Sequence, residues 1–456
     1  MKYNILFDVD SYKTSHFSQF PKDTTSLFSY IEARCGNYKE TVFFGLQYFI
    51  KEYLLNPITE ADVNKAKKLY AAHGVPFNYD GWMYIVNELK GYLPIKIKAV
   101  PEGTKVPTSN ILVSVESTDK NVPWIVSWVE TALLRSVWYG TTVATRSNYI
   151  KSIIKEGLEK SSDSIDEINF KLHDFGSRGV SSQESAILGG MAHLLNFMGT
   201  DTVVALLGAQ DYYNADMAGY SIPASEHSSI TSWGKENETE AYRNMIKQFA
   251  KPGAIFACVS DSYDIYNAIS NIWGTSLKDE VINSKATLVV RPDSGVPEEV
   301  VLKSLILLDE KFGSTINSKG FKVLNNVRVI QGDGIDENSI QKIINNVINA
   351  GYSLTNVAFG MGGALLQQLN RDTCSFAMKC SSITVGDVDR DVFKDPIEAK
   401  NKKSKKGKLD LILNDSNNLE TTKLSDNFNS VMKVVFENGK LLVDDSFDVI
   451  RQRVKF

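Results

Sequence analysis

Three short strings set a basic side chain close to a carboxylate: HDFGSRG at 173–179, VVRPDSG at 289–295 and IPASEHSS at 222–229. An arginine fork matches two oxygens of a phosphate or diphosphate at once, so Arg178 and Arg291 are candidate anion ligands. Phe175, in the same loop as Arg178, offers a flat ring on which a planar ligand can stack. A plainer reading of His173, Asp174 and Arg178 is an ion pair tying a loop, with Phe175 in the core. Asp201 in GTDT, Asp293 in RPDSG and Asp333 in QGDGID are carboxylates suited to a sugar diol or Mg²⁺. Gly332 and Gly334 let a ligand approach the backbone beside Asp333, although Gly-Asp-Gly equally satisfies a tight turn. His227 sits among hydroxyls and small residues instead of aliphatics, so its imidazole can act as acid or base, or accept a phosphoryl group.

FGMGGALLQQLNRD at 359–372 places Gly360, Gly362 and Gly363 before a helix-like run, which predicts free backbone N–H groups facing a phosphate. It is neither a Walker loop nor a GxGxxG fingerprint. A lysine run (Lys400, Lys402, Lys403, Lys405, Lys406 and Lys408) reads as a solvated loop, a nuclear-import-like patch, or a cover over a polyphosphate. Together these groups imply a phosphorylated sugar as ligand.

The elements that must carry these groups follow a rhythm. From about residue 168, apolar runs end in Gly, charge or hydroxyl and most pass into helix-like stretches, as in ATLVVRPDSG followed by PEEVVLKSLILLDEKF. Strand, polar turn, helix is the sequence form of a parallel βα fold, whose ligands collect at the strand carboxyl ends. Polar residues recur at so many consecutive ends that a barrel is expected over an open sheet. Residues 1–150 read as mixed α and β, with TTSLFSYIEAR as a strand and 123–160 helical. VMKVVFENGKLLVDDSF reads as a hairpin around Asn438-Gly439, returning to the first 150 residues as a second β-rich layer. The expected divisions are 1–150, a catalytic core at 151–385, and a C-terminal basic loop and β segment at 386–456.

With 456 residues, 43% apolar and 23% charged, the chain has an ordinary globular composition. A net charge of −4 gives no reason to expect nucleic acid or an acidic membrane as partner. Four cysteines lack CxxC spacing and no His cluster follows them, so neither a zinc site nor a disulfide framework is expected. The opening MKYNILFDVDSYK does not read as a signal peptide, and no apolar run approaches membrane-spanning length. A cytoplasmic protein is expected.

Nine ordered strings, among them DSYKTSHFSQFP, KLHDFGSRGVSSQES, YSIPASEHSSITSWGKE, VSDSYDIYNAISNIWG, VIQGDGID and SKKGKL, resemble the nicotinamide phosphoribosyltransferase family, from residue 4 to about 450. The resemblance implies an α/β fold: an irregular (β/α) barrel-like phosphoribosyltransferase core with an additional β-rich domain made from both chain ends. It implies a homodimer with shared active sites, and transfer of phosphoribosyl from 5-phosphoribosyl-1-diphosphate to nicotinamide with Mg²⁺. ATP hydrolysis through a phosphohistidine would drive that transfer forward.

By the same resemblance His227 is the phosphorylated histidine and Asp261 the carboxylate that orients it. Phe175 and a partner's copy of Tyr12 sandwich the pyridine, and Asp201 accepts from the carboxamide. Arg178 and Arg291 bind diphosphate; Asp293, Gly332 and Asp333 bind ribose; Gly363 belongs to the phosphate loop. Arg371, Lys379, Lys394 and Lys402 line the phosphate and nucleotide site from the partner subunit. No protein group is expected to form a dedicated metal cluster. The chain departs from the family at Ala377, where a serine is usual, at Ala364, where a third glycine is usual, in the acidic VGDVDRD at 385–391, and in a short 35–40 region. Those positions bear on nucleotide affinity and ATP coupling. Two other readings are a nicotinate phosphoribosyltransferase and a non-catalytic barrel that binds phosphorylated metabolites.

Overall fold

The computed structural model describes residues 4–397, 403–424 and 429–455. The chain forms two compact units: Met1–Thr145, Gly208–Asp216 and Leu369–Phe456 make one, and Arg146–Leu207 with Met217–Gln368 make the other. Among the described residues no helix is long and apolar enough to cross a membrane.

The first unit is built on a seven-stranded antiparallel sheet. Its longest pairings are made by Thr24–Ala33, an interior strand paired on one side with Phe376–Val385 and on the other with Ile111–Ser117. This strand alternates poorly because seven of its residues are buried in succession, Leu27 and Ile31 on one side, Phe28 and Tyr30 on the other. A sheet covered on both faces favours such a run. Trp82, Trp124 and Trp128 pack edge to face against one another, with ring centroids 5.0–5.9 Å apart. The expected hairpin is present: Lys433–Glu437 pairs with Lys440–Leu441 through Asn438 at φ 49° and Gly439 at φ 84°. Left-handed φ at both central residues is the requirement of a two-residue turn of this hand, which Asn-Gly meets at low cost.

The second unit carries a six-stranded parallel sheet in the order Gly199–Thr200, Leu172–Asp174, Val357–Met361, Val327–Gln331, Thr287–Arg291, Ile255–Val259. Helices such as Pro297–Phe312 and Glu337–Asn349 follow the strands as the sequence rhythm predicts. Glu337–Asn349 starts at Asp336, whose carboxylate accepts from the Ser339 N–H, and buries Ile340, Ile343, Ile344 and Val347 on one face.

AGYSIPASEH departs from the expected pattern. It forms no strand, yet it bridges the two outer strands of the sheet: Tyr220 to Gly199 and Ala224 to Ala257. Pro223 has no N–H to give, so a full ladder cannot form, and the ring closes through isolated contacts. Ser225 makes up part of the deficit, since its hydroxyl accepts the Val259 N–H at 2.9 Å. The result is an irregular parallel barrel whose lumen holds the small Ala257 and Ala358 beside Val289 and Ile330. These side chains leave a lumen of ≈ 470 Å³ where (β/α)₈ barrels are ordinarily filled.

Candidate active site

At the carboxyl ends of the barrel strands lies a cavity of ≈ 760 Å³. Phe175, Arg178, Asp201, Arg291, Asp293, Gly332, Asp333 and Gly363, eight of the sequence-predicted residues, line it. It meets the lumen at Phe175, Asp201, Ala224 and Arg291. They come from the ends of five strands, Leu172–Asp174, Gly199–Thr200, Thr287–Arg291, Val327–Gln331 and Val357–Met361, which is how a parallel barrel gathers chemistry from distant parts of a chain.

His227 and Asp261 stand at its rim. Nε2 of His227 is 3.0 Å from Oδ1 of Asp261, and Nδ1 lies 3.9 Å from Oδ2 of Asp293. Asp261 is almost fully buried, and its other oxygen accepts from the Asp293 N–H at 2.9 Å and the Ser294 hydroxyl at 2.5 Å. Asp293 is gripped by both Arg291 nitrogens, Nε at 3.2 Å and Nη2 at 3.1 Å. The RPDSG turn thereby binds one carboxylate and braces another. Two positions before each partner, Ser225 is bonded to Val259, which sets the His227 loop against the strand that ends beside Asp261. Small hydroxyl residues in that loop are therefore structural: they replace ladder bonds that Pro223 and the irregular backbone forgo.

Phe175 is seated by its neighbours. Its N–H donates to Met361 O at 3.0 Å, and its ring lies so close to Gly360 that a Cβ there would sit 2.0 Å from Cε2. Asp174 supports the loop from below by accepting the Gly176 N–H at 2.7 Å. Burial pushes the Asp174 carboxyl up to about 6, offset in part by the Gly176 N–H and the Thr202 hydroxyl. His173 turns away from the cavity into the lumen, where its Nε2–H donates to Phe170 O at 2.9 Å, and burial holds its imidazole below the usual range. Gly199 makes room for that ring, since a Cβ would lie 2.4 Å from Nδ1. The ion-pair reading of HDFGSRG does not hold: Asp174 braces a backbone turn, and Arg178 stands exposed in the cavity wall.

Asp201 is exposed at the junction of cavity and lumen, with its Oδ1 accepting the Ser221 hydroxyl at 2.6 Å. Asp333 is exposed in a turn that uses Gly334 at φ 66°. The helix expected after Gly363 is a single turn, Gly363–Leu366. The glycines serve instead for close approach: a Cβ on Gly179 would lie 3.1 Å from Gly363 Cα.

Tyr12, Arg371, Lys379 and Lys394 belong to the first unit. Tyr12 and Lys379 line one cavity there, of ≈ 390 Å³, with Lys13, His16 and Glu130; Arg371 and Lys394 lie outside its wall. Burial lowers the Lys379 ammonium. Lys402, like Lys400, lies outside the described residues. Most other lysines of the run have carboxylate partners: Lys403 with Asp395, Lys405 with Glu32, and Lys408 with Glu116. Among the described residues there is no group of three or more His, Cys, Asp or Glu side chains placed to hold a metal ion. Ser221, Ser225 and Ser294 are the residues that sequence reasoning passed over. Ser294 lay inside a motif already singled out, but its partner is 33 positions away.

The backbone resembles that of a nicotinate-nucleotide pyrophosphorylase from Pyrococcus furiosus, with TM-score 0.62 and 15% identity over 99% of this chain and 94% of that one. Human nicotinic acid phosphoribosyltransferase superposes with TM-score 0.58 at 15% identity, covering 98% and 92%. The class is thus that of the nicotinate-type phosphoribosyltransferase fold. The profile of the nicotinate phosphoribosyltransferase (NAPRTase) family matches residues 170–440, and that of the nicotinamide phosphoribosyltransferase N-terminal domain matches 4–97. A nicotinamide phosphoribosyltransferase of Xanthomonas campestris is 53% identical, covering 98% of this chain and 97% of its own. One from Acinetobacter baylyi is 32% identical, with 99% and 97% covered. The chain belongs to the nicotinamide phosphoribosyltransferase family.

Proposed function

We propose that the protein transfers the phosphoribosyl group of 5-phosphoribosyl-1-diphosphate to nicotinamide in NAD salvage, giving nicotinamide mononucleotide and diphosphate. The observation that carries this reading is one cavity that joins an aromatic wall, two arginines and a carboxylate facing the lumen. In the reaction the pyridine nitrogen forms its bond to ribose C1 as the bond from C1 to the diphosphate oxygen breaks. Arg178 and Arg291 take the growing negative charge of the leaving diphosphate, and Asp293 and Asp333 hold the ribose. Phe175 stacks on the pyridine.

Asp201 sets the choice of base. A carboxylate accepts from the amide N–H of nicotinamide and repels the nicotinate anion, and a charge left unpaired on leaving water is costly. The NAPRTase profile keeps the nicotinate enzyme as the second reading. Product formation from the two bases at equal concentration decides: a preference for nicotinate, or no loss of discrimination in Asp201→Asn, refutes the role given to Asp201.

Mg²⁺ fits this site as the diphosphate complex, because Mg²⁺ asks for one or two carboxylates and keeps its waters and phosphate oxygens. Asp333, exposed beside the cavity, is the carboxylate to supply, while Asp293 is engaged with Arg291. The ion would neutralise charge on the diphosphate.

ATP coupling is assigned to His227. With Nε2–H given to Asp261, the lone pair rests on Nδ1, which can take the γ-phosphoryl of ATP and release ADP. Water then hydrolyses the phosphohistidine to phosphate, so one ATP is consumed per cycle. Tyr12, Arg371, Lys379, Lys394 and Lys402 would serve the site of the other protomer in a cytoplasmic homodimer. Diphosphate release measured with nicotinamide, with and without ATP, tests the whole scheme. Absence of diphosphate would return the chain to the class of non-catalytic binding barrels.

A further inference from the structure

The RPDSG turn reaches His227 on two sides: Asp293 faces Nδ1 directly, and the turn also bonds Asp261, which faces Nε2. That carboxylate has 4% of its side chain exposed, so its orientation is set by the groups bonded to it. One oxygen faces Nε2 of His227 at 3.0 Å, and the other accepts two donors from a single corner: the Asp293 N–H and the Ser294 hydroxyl. The corner itself is stiff, with Pro292 ahead of it and Gly295 behind it at φ 89°.

His227 has no comparable packing. Its side chain is 44% exposed, and it stands between two carboxylates, with Asp261 at Nε2 and Asp293 3.9 Å from Nδ1. Which nitrogen carries the proton depends on which carboxylate holds the ring. Ser294 is the side-chain donor that biases this choice. Removing its hydroxyl leaves Oδ2 of Asp261 with one donor, the Asp293 N–H, so the carboxylate is held less firmly about its Cβ–Cγ bond and Asp293 competes better for the ring.

We propose that Ser294 is a positioning residue of this centre, whose hydroxyl fixes the Asp261 carboxylate so that His227 is held through Nε2. The kinetic part of the test rests on the ATP-coupled transferase reading; the spectroscopic part does not. Ser294 is exposed, so Ser294→Ala is expected to fold, and Ser294→Thr keeps the hydroxyl.

The experiment is ring nitrogen NMR of ¹⁵N-histidine protein, with the His227 signals identified among the five histidines by their loss in His227→Gln. The intact protein should give the Nε2–H tautomer alone. Ser294→Ala should give a mixture of Nε2–H and Nδ1–H forms, and Ser294→Thr should restore the single form. ATP-dependent turnover should fall about tenfold in Ser294→Ala, with KM for nicotinamide within about twofold, since the pyridine wall is untouched. A single Nε2–H signature surviving in Ser294→Ala, or a mixture already present in the intact protein, overturns the proposal. An intact enzyme with no response to ATP removes the coupling reading alone, and the tautomer result then decides on Ser294 by itself.

Discussion

Gly360→Ala should weaken nicotinamide binding through a ring that the new methyl displaces. A Cβ at this position would lie 2.0 Å from Cε2, 2.3 Å from Cδ2 and 2.8 Å from Cζ of Phe175. Carbon atoms rest about 3.5 Å apart, so the ring edge must retreat by roughly 1.5 Å. It has somewhere to go, because Phe175 is only half-buried and borders the cavity. The cost should therefore fall on the pyridine proposed to stack there more than on the fold. An aromatic pair contributes about 0.5–1.5 kcal/mol beyond burial. Losing about 1 kcal/mol of that raises KM for nicotinamide roughly fivefold. Steady-state formation of nicotinamide mononucleotide at saturating phosphoribosyl diphosphate measures the change. The decisive control is the Phe175→Ala background, where the added methyl meets no ring and KM should not rise further. Residues in direct contact are expected to fail additivity in this way. If KM for Gly360→Ala stays within twofold of the parent, or the two effects simply add, the seating of Phe175 on Gly360 is not what holds the pyridine.

Three other outcomes are expected. His227→Ala should abolish the enhancement by ATP while sparing part of the basal transfer rate; equal loss of both, measured as diphosphate release, would mean that His227 acts on the diphosphate. Asp174, raised to about 6 by burial, favours folding when protonated, so its contribution is complete below about pH 4 and lost as pH rises through about 6. Urea unfolding of Asp174→Asn should therefore gain on the parent between these limits, by about 3 kcal/mol at most, and a pH-independent difference would refute the assignment. On the proposed homodimer with shared sites, mixing Tyr12→Ala and Asp201→Ala protomers should restore some activity by subunit exchange, and no rescue would count against that proposal.

Much of this site was legible because its chemistry sits at strand ends. Arg291, Asp293 and Asp333 each follow an apolar run by a residue or two, and parallel pairing converges such ends whatever the intervening sequence. Asn438-Gly439 was legible for a local reason, the left-handed φ of both residues. What stayed hidden depends on partners far along the chain. Nothing around Lys405 or Lys408 announces Glu32 or Glu116, so the lysine run could not be divided into paired and unpaired members. Tyr220–Ala224 joins the barrel by two isolated bridges, without the alternation that marks a strand, and Pro223 argues against one. The glycines at 360–363 suggested a helix start, but Leu365 and Leu366 continue the helix for one turn only. The serines that brace Asp201 and Asp261 have partners 20 and 33 positions away, which no local pattern announces.

The antiparallel sheet of the first unit pairs Ala33 with Phe376, so one of its middle strands is supplied from far downstream. On a ribosome the barrel residues, nearly all within 146–368, emerge before that strand exists. Nascent Thr24–Ala33 must wait beside a growing chain with one edge unsatisfied, and unpaired edges invite association with other chains. Synthesis arrested anywhere before Phe376–Val385 should yield a product prone to aggregate even when its barrel is sound. Slowing the last stretch of translation should therefore lengthen the exposure of that waiting strand, and shielding its edge should shorten it.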